Sequence, residues 1–403
     1  MSDTDRTRRT VHPTLTPSAA RTLGLAGAGL SLIAACYGLA RFAYGLFVPA
    51  FRDTFALDAA QVGLIAATSY VAYCVGAVAA SAATPRFGAR AVAVAAGSLA
   101  TAGTALIALS PTSLVLTVGV SVAGASTGLA SPPLAHAIAT RVAPSHRDRV
   151  QTIVNAGTGL GVAISGPVAL LAEEHWRAAW LTFAAVSATV TVWVWFRVPD
   201  DAGNPPTAAT RTGHEGARHA GLPPGAHRLF GAATIVGAAT AATWTFGQEL
   251  LETVGGHSHT LATTAWIALG TCGLLGAASG ELVRRAGLRR AWTMSTTATC
   301  AATAALAADP QQATVAVGAS AVFGAVYIAL TGILLIWSTH VYPDTPAIGV
   351  GLTFLLIAVG QSAATPLVGF VADRTDITTS FWLSAGLALG ASALLPPPRP
   401  STT

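Results

Sequence analysis

Arg41 makes the clearest chemical demand in this chain. It stands in Tyr37-Gly-Leu-Ala-Arg-Phe-Ala-Tyr-Gly-Leu-Phe-Val-Pro49, which closes an apolar run beginning near Leu23. A guanidinium keeps its proton in any protein environment. Placing one near the centre of a bilayer costs roughly 2.5–3.5 kcal/mol on insertion scales, so a compensating partner is required. At α-helical spacing Tyr37, Arg41, Tyr44 and Val48 share one face, which sets the charge between two phenols. Two readings are open: a ligand- or ion-facing stripe inside a helical bundle, or a structural charge held by neighbouring carbonyls or snorkelling outward.

Patterns that would signal enzyme chemistry do not hold. Gly124-Ala-Ser-Thr-Gly128 matches G-x-S-x-G, but it lies inside an apolar run without the strand-to-helix turn that exposes such a serine. Its spacing is also GxxxG, a helix contact. There is no HExxH, Walker loop or dinucleotide fingerprint, and no pair of carboxylates within the apolar segments. Cys36, Cys74, Cys272 and Cys300 lie singly in apolar runs, with neither CxxC nor Cys/His ligand spacing, and read as buried small hydrophobes. The expectation is a non-enzyme with no cofactor and no metal.

The elements that position Arg41 follow from composition. Of 403 residues 52% are hydrophobic and 10% charged, with a mean hydropathy of +0.58. A soluble domain carries about 25% charged residues, so a water-soluble globule is excluded. A template of about 20 apolar residues fits twelve times, over 23–49, 60–83, 90–109, 114–140, 150–172, 176–196, 229–250, 260–280, 290–308, 313–339, 347–371 and 379–395. The alternating ten-residue segments of a membrane barrel are absent. The expected fold class is an all-α polytopic membrane protein.

All 22 basic residues are arginine. They are dispersed in short loops rather than gathered with aromatics, so they read as topology determinants and not as a nucleic-acid surface. With the N-terminus inside, 18 arginines are cytoplasmic, and three (Arg52, Arg177, Arg374) lie outside. The positive-inside rule then makes both termini cytoplasmic. The expected organisation is a tail at 1–22, a six-helix bundle at 23–197, a flexible Pro- and Gly-rich linker at 198–226, a second bundle at 227–396 and a tail at 397–403.

The bundles repeat. A constant shift of 199 residues carries Arg86, Gly88 and Arg90 onto Arg285, Gly287 and Arg289. The same shift carries Pro111, Gly161 and Pro167 onto Pro310, Gly360 and Pro366. A parallel duplication of six spans is the signature of a carrier whose halves rock around a site between them.

The paired loops Pro85-Arg-Phe-Gly-Ala-Arg90 and Arg284-Arg-Ala-Gly-Leu-Arg-Arg290 resemble the G-x-x-x-D-R-x-G-R-R loop of the major facilitator superfamily. The copies are degenerate: Ser81 and Pro85 replace its Gly and Asp in the first half, and Arg284 replaces the Asp in the second. Gly38-Leu-Ala-Arg41-Phe-Ala-Tyr44 is similar to the first-span signature of the YbfB/YjiJ-type subgroup. Gly161 followed by Gly166-Pro167 resembles part of a motif of exporting members, a lean to export; its physical alternative, shared by Gly360 and Pro366, is helix packing and kinking. A span-four arginine linked to proton coupling in the family is Val120 here.

The resemblance implies a central cavity lined by spans 1, 4, 7 and 10 and assisted by 2, 5, 8 and 11. Candidate substrate- or ion-binding residues are then Arg41, Tyr37, Tyr44, Tyr70, Tyr73, Asn155, Trp244, Gln248, Glu249, Tyr327 and Gln361, while Trp337, near a helix end, reads as an interface-belt residue. Glu249 lies about 12 Å nearer the outer rim than Arg41 at 1.5 Å per residue, so a constant pair between them is not expected. The function implied is secondary active transport of a small organic solute across the cytoplasmic (inner) membrane by a monomer, with protons as the family's coupling ion. A sensor or scaffold built on the same bundle is the alternative.

Overall fold

The computed structural model describes residues 17–172, 175–200 and 222–396, in which twelve helices follow one another and no strand occurs. Residues 1–16 of the expected N-terminal tail, the tail at 397–403, the greater part of the expected linker, and Glu173 and Glu174 between the fifth and sixth spans lie outside the described residues, while the last six residues of the expected N-terminal tail are already helical. Helix α1 is built from consecutive pieces, Pro17–Ile33, a π-helical Ala34–Phe42, Ala43–Leu46 and Val48–Phe55. Ala59–Ala108 is two helices, α2 and α3, meeting at Gly88. Then come α4 (Ser113–Arg141), α5 (Pro144–Ala172) and α6 (Trp176–Arg197). The second half holds α7 (Ala226–Glu249, extended by π-helical Leu250–Val254) and α8 (His259–Gly273, Leu274–Ala278 and Ser279–Ala286). It closes with α9 (Leu288–Ala308), α10 (Ala313–Val341), α11 (Pro346–Arg374) and α12 (Ile377–Ala391). Among the described residues nine helical stretches are long and apolar enough to cross a membrane, the bent α2–α3 counting as one of them. Helix α9 is more polar, yet the buried Thr296 and Thr299 each donate their hydroxyl to a carbonyl one turn back, which lowers the cost of burying it.

The repeat read from sequence recurs in backbone geometry. Gly88 and Gly287 have φ of 81° at both positions, with ψ of 159° and 155°, a region essentially closed to residues with a Cβ. This reversal lets α2 turn into α3, and α8 into α9, without a loop. Two residues later an arginine clamps the end of the same half: Arg90 Nε donates to the Val198 carbonyl (2.8 Å) and Arg289 Nε to the Pro396 carbonyl (2.7 Å). These loop arginines therefore brace each half internally. The close approaches repeat too. A side chain at Gly38 or Gly161 would strike the facing backbone of α5 or α1, and one at Gly237 or Gly360 that of α11 or α7.

The halves meet at the end of the bundle opposite the chain termini, here called the distal end. One buried apolar cluster runs through the first half and across to Trp244, Phe246, Trp266, Phe323 and Tyr327 of the second. The termini-side part of the second half has a separate core, with Val236, Trp292, Leu334 and Trp337. Trp337 is not at a membrane interface: it is fully buried, edge-on to Trp292 at 5.5 Å. Its place near a helix end is filled by packing against α9, which hydropathy does not register.

Because only glycine adopts this backbone, Gly88→Ala and Gly287→Ala are each expected to cost about 1–3 kcal/mol. Gly386, which has open space around it, should tolerate alanine. Melting temperatures of the purified variants check this, and equal melting of all three would contradict it.

Candidate functional site

Arg41 lies within the π-helical turn Ala34–Phe42 of α1, where 7% of its surface is exposed. A π-turn carries more residues per turn than an α-helix and rotates every following side chain relative to α-helical expectation. The two phenols beside the charge are consequently not Tyr37 and Tyr44. The guanidinium carbon sits 4.6 Å from the ring centroids of both Tyr70 and Tyr73, supplied by α2 one turn apart. Tyr44 instead donates its hydroxyl to the Val62 carbonyl (3.0 Å). Tyr37 bonds Ser131 of α4 (3.0 Å) and meets Tyr73 edge-on.

The polar partner of Arg41 comes from the other half of the molecule. Its Nη2 donates to Gln361 Oε1 of α11 at 3.2 Å. Among the described residues no carboxylate joins this contact, so aromatic quadrupoles and one neutral amide compensate the charge. The far wall is aromatic: Phe42 stacks on Trp244 at 4.1 Å, and Tyr327 lies edge-on to both. A cavity of about 10 Å³, room for roughly one water, remains among Arg41, Tyr44, Ser69, Tyr70, Trp244 and Thr245. Several donors there lack an acceptor: Arg41 Nε, Gln361 Nε2 and Trp244 Nε1. Arg41, Tyr70, Tyr73, Trp244, Tyr327 and Gln361 thus converge from α1, α2, α7, α10 and α11.

Other candidates lie elsewhere. Asn155 is exposed on α5 and accepts from Gln151 Nε2 at 3.0 Å. Gln248 Nε2 donates to Glu252 Oε1 (2.7 Å), a carboxylate that also receives His259 Nδ1 (2.8 Å). Glu249 is ion-paired with Arg52, not Arg41. Two residues that the sequence reading passed over complete this distal clasp between the halves. Asp373 of α11 accepts the backbone N–H groups of Ala59 (2.9 Å) and Ala60 (2.7 Å), while Asp58 caps Gln61. The N-terminus of α2, positive by its dipole and its unpaired amides, is thus satisfied by both halves. Ser165 accepts from Trp266 Nε1 (2.9 Å) beside Gly166, which packs on Ile267. Phe42 and Ser69 were also missed; they adjoin Arg41 and Tyr70, but a phenylalanine and a lone serine in an apolar run carry no sequence signal. Of the loop residues, Arg284 and Arg285 both pair with Glu281 of their own helix, and Arg86 is exposed. Among the described residues no three His, Cys, Asp or Glu side chains gather as a metal site would require.

A family model described as Major Facilitator Superfamily matches residues 30–365. No curated protein matches the chain in sequence. Among solved structures, a bacterial homologue of the human lysosomal transporter Spinster, inward-facing and unoccupied, is similar at a TM-score of 0.75 and 16% identity, covering 94% of this chain and 97% of its own. A variant of the nucleoside transporter NupG is similar at a TM-score of 0.71 and 15% identity, covering 93% of this chain and 98% of its own.

The clasp yields a direct test. Asp373→Ala leaves two helix N-terminal amides without an acceptor, a loss of about 1–2 kcal/mol. Deuterium uptake of a peptide spanning 56–62 is expected to speed up about tenfold at matched pH. Unchanged uptake would show that the clasp does not hold the distal end.

Proposed function

Because the chain belongs to the Major Facilitator Superfamily, it is a multi-pass membrane transporter, and we propose that it carries a small organic solute by alternating access around Arg41. The observation that carries this reading is the hydrogen bond from Arg41 to Gln361. A buried charge on one half has its polar partner on the other, so rocking of the halves makes and breaks that contact. Ligand binding at this point biases the conformation, because the ligand and the opposite half compete for the same guanidinium.

With the arginine bias read by the positive-inside rule, both termini face the cytoplasm and the clasped distal end faces outward across the inner membrane. The cage is then approached from the cytoplasmic side, in keeping with the glycine and proline pattern of α5 that leans to export. Opening the distal end requires release of Asp373 from α2 and of Glu249 from Arg52. Glu249 is the acidic group suited to proton coupling, since its ion pair exists only while that end is closed.

Arg41→Ala is expected to abolish solute flux in proteoliposomes while the protein still inserts and migrates as a monomer. Wild-type flux in that variant would refute the site. Glu249→Gln should preserve movement down a solute gradient and remove the drive from an imposed pH gradient; a variant still driven by that gradient would remove Glu249 from the coupling step.

A further inference from the structure

We infer that the ligand of this site is a small monocarboxylate with a planar apolar body, its carboxylate received by Arg41. The inference rests on the transporter reading and deepens it. Three observations carry it.

The first is charge. Among the described residues Arg41 is the single charged side chain lining the cage, and its only hydrogen bond there goes to a neutral amide. A carboxylate makes charge-assisted, bidentate bonds to a guanidinium, roughly twice as strong as a neutral contact, so it displaces the amide where a neutral ligand does not. One cation matches one negative charge. A phosphate dianion would bury an excess charge, and an amine would face like charge at close range.

The second is the polarity of the unsatisfied groups. Arg41 Nε, Gln361 Nε2 and Trp244 Nε1 are buried donors without acceptors among the described residues, Ser69 Oγ beside them is an unpaired hydroxyl able to do either, and Arg and Trp side chains can only donate. Buried polar groups are almost always paired, and a surplus of donors calls for an acceptor-rich group. Sugars and nucleosides bring as many donors as acceptors, and their hydroxyls would lie unpaired against these walls.

The third is shape. Phe42 and Trp244 stack with ring planes 27° apart, and Tyr70 and Ala66 line the same cavity. Flat aromatic surfaces favour a planar body that slides between them in offset stacking. With space for about one water in the clasped state, the ligand must be small and must part the rings as it enters.

The test uses the full-length purified protein and four probes that share a phenyl ring, at constant ionic strength: benzoate, its isostere benzamide, benzylamine and phenyl phosphate. Benzoate is expected to raise the melting temperature in a saturable manner, and the other three are expected to leave it within error. Arg41→Gln should lose the benzoate shift. Arg41→Lys, which keeps the charge and guards against a misfolded Gln variant, should bind benzoate roughly tenfold more weakly for want of the guanidinium fork. No benzoate shift, equal shifts from benzamide or benzylamine, a larger shift from phenyl phosphate, or an undiminished benzoate shift in both Arg41 variants would each overturn the inference. An Arg41-dependent benzoate shift in a protein that moves no solute in liposomes would keep the ligand class and sink the carrier reading. Solute flux without a carboxylate-specific shift would do the reverse.

Discussion

A guanidinium that cannot be neutralised is held in an apolar interior, and much of the local architecture answers that constraint. Arg41 has no carboxylate beside it; two phenol faces and one amide oxygen compensate the charge instead. Each such contact is worth about 2 kcal/mol or more when desolvated, comparable to the insertion cost on biological scales. The charge is thus tolerated rather than locked. A carboxylate in its place would make a stronger pair and leave nothing for a ligand to add. The position related to Arg41 by the repeat is Thr240, fully buried, with its hydroxyl turned back to the Val236 carbonyl (3.0 Å). The second half has no corresponding demand, and the site is asymmetric within a nearly symmetric frame.

That frame depends on backbone contact. Without a hydrophobic driving force between helices in lipid, close approach through small residues supplies the packing energy. Gly38 with Gly161, and Gly237 with Gly360, bring the first and fifth helix of each half to backbone distance. Arg90 and Arg289 then tie the last helix of each half to its own loop. Each half is thus braced by contacts within itself, and in the proposed rocking the contacts that change are those on the surfaces between the halves.

Charge is distributed accordingly. The ion pair of Arg52 with Glu249 and the capping of α2 by Asp373 stand at the distal rim, where water can receive the groups when they separate. Nearer the centre the inter-half contacts are aromatic stacking, the Arg41–Gln361 bond and the neutral bond from Trp266 to Ser165. Polar bonds that break in water cost little, and the same bonds broken in the apolar centre cost much more. Under the proposed alternating access, a rim clasp around a centre with few charges would keep the barrier to rocking low.

Composition and periodicity alone determined the twelve helices, the duplication and the presence of one deep cation. Hydropathy integrates over a whole span and is insensitive to detail, and the 199-residue shift was legible because glycine, proline and arginine mark positions where backbone geometry leaves no substitute. The expectation that Tyr37 and Tyr44 flank Arg41 failed because helical spacing assumes 3.6 residues per turn, and the π-turn at Ala34–Phe42 breaks that assumption without any compositional mark. Trp337 and Asn155 exchanged their expected roles, one buried and one exposed, because rotation of a helix about its axis is decided by its neighbours. The partner of Arg41 lies 320 residues away in sequence, and Asp373 meets the amides of Ala59 and Ala60 across the two halves. Such pairings depend on how the two halves dock, a relation between surfaces that no local pattern encodes, so only the tertiary structure decided them.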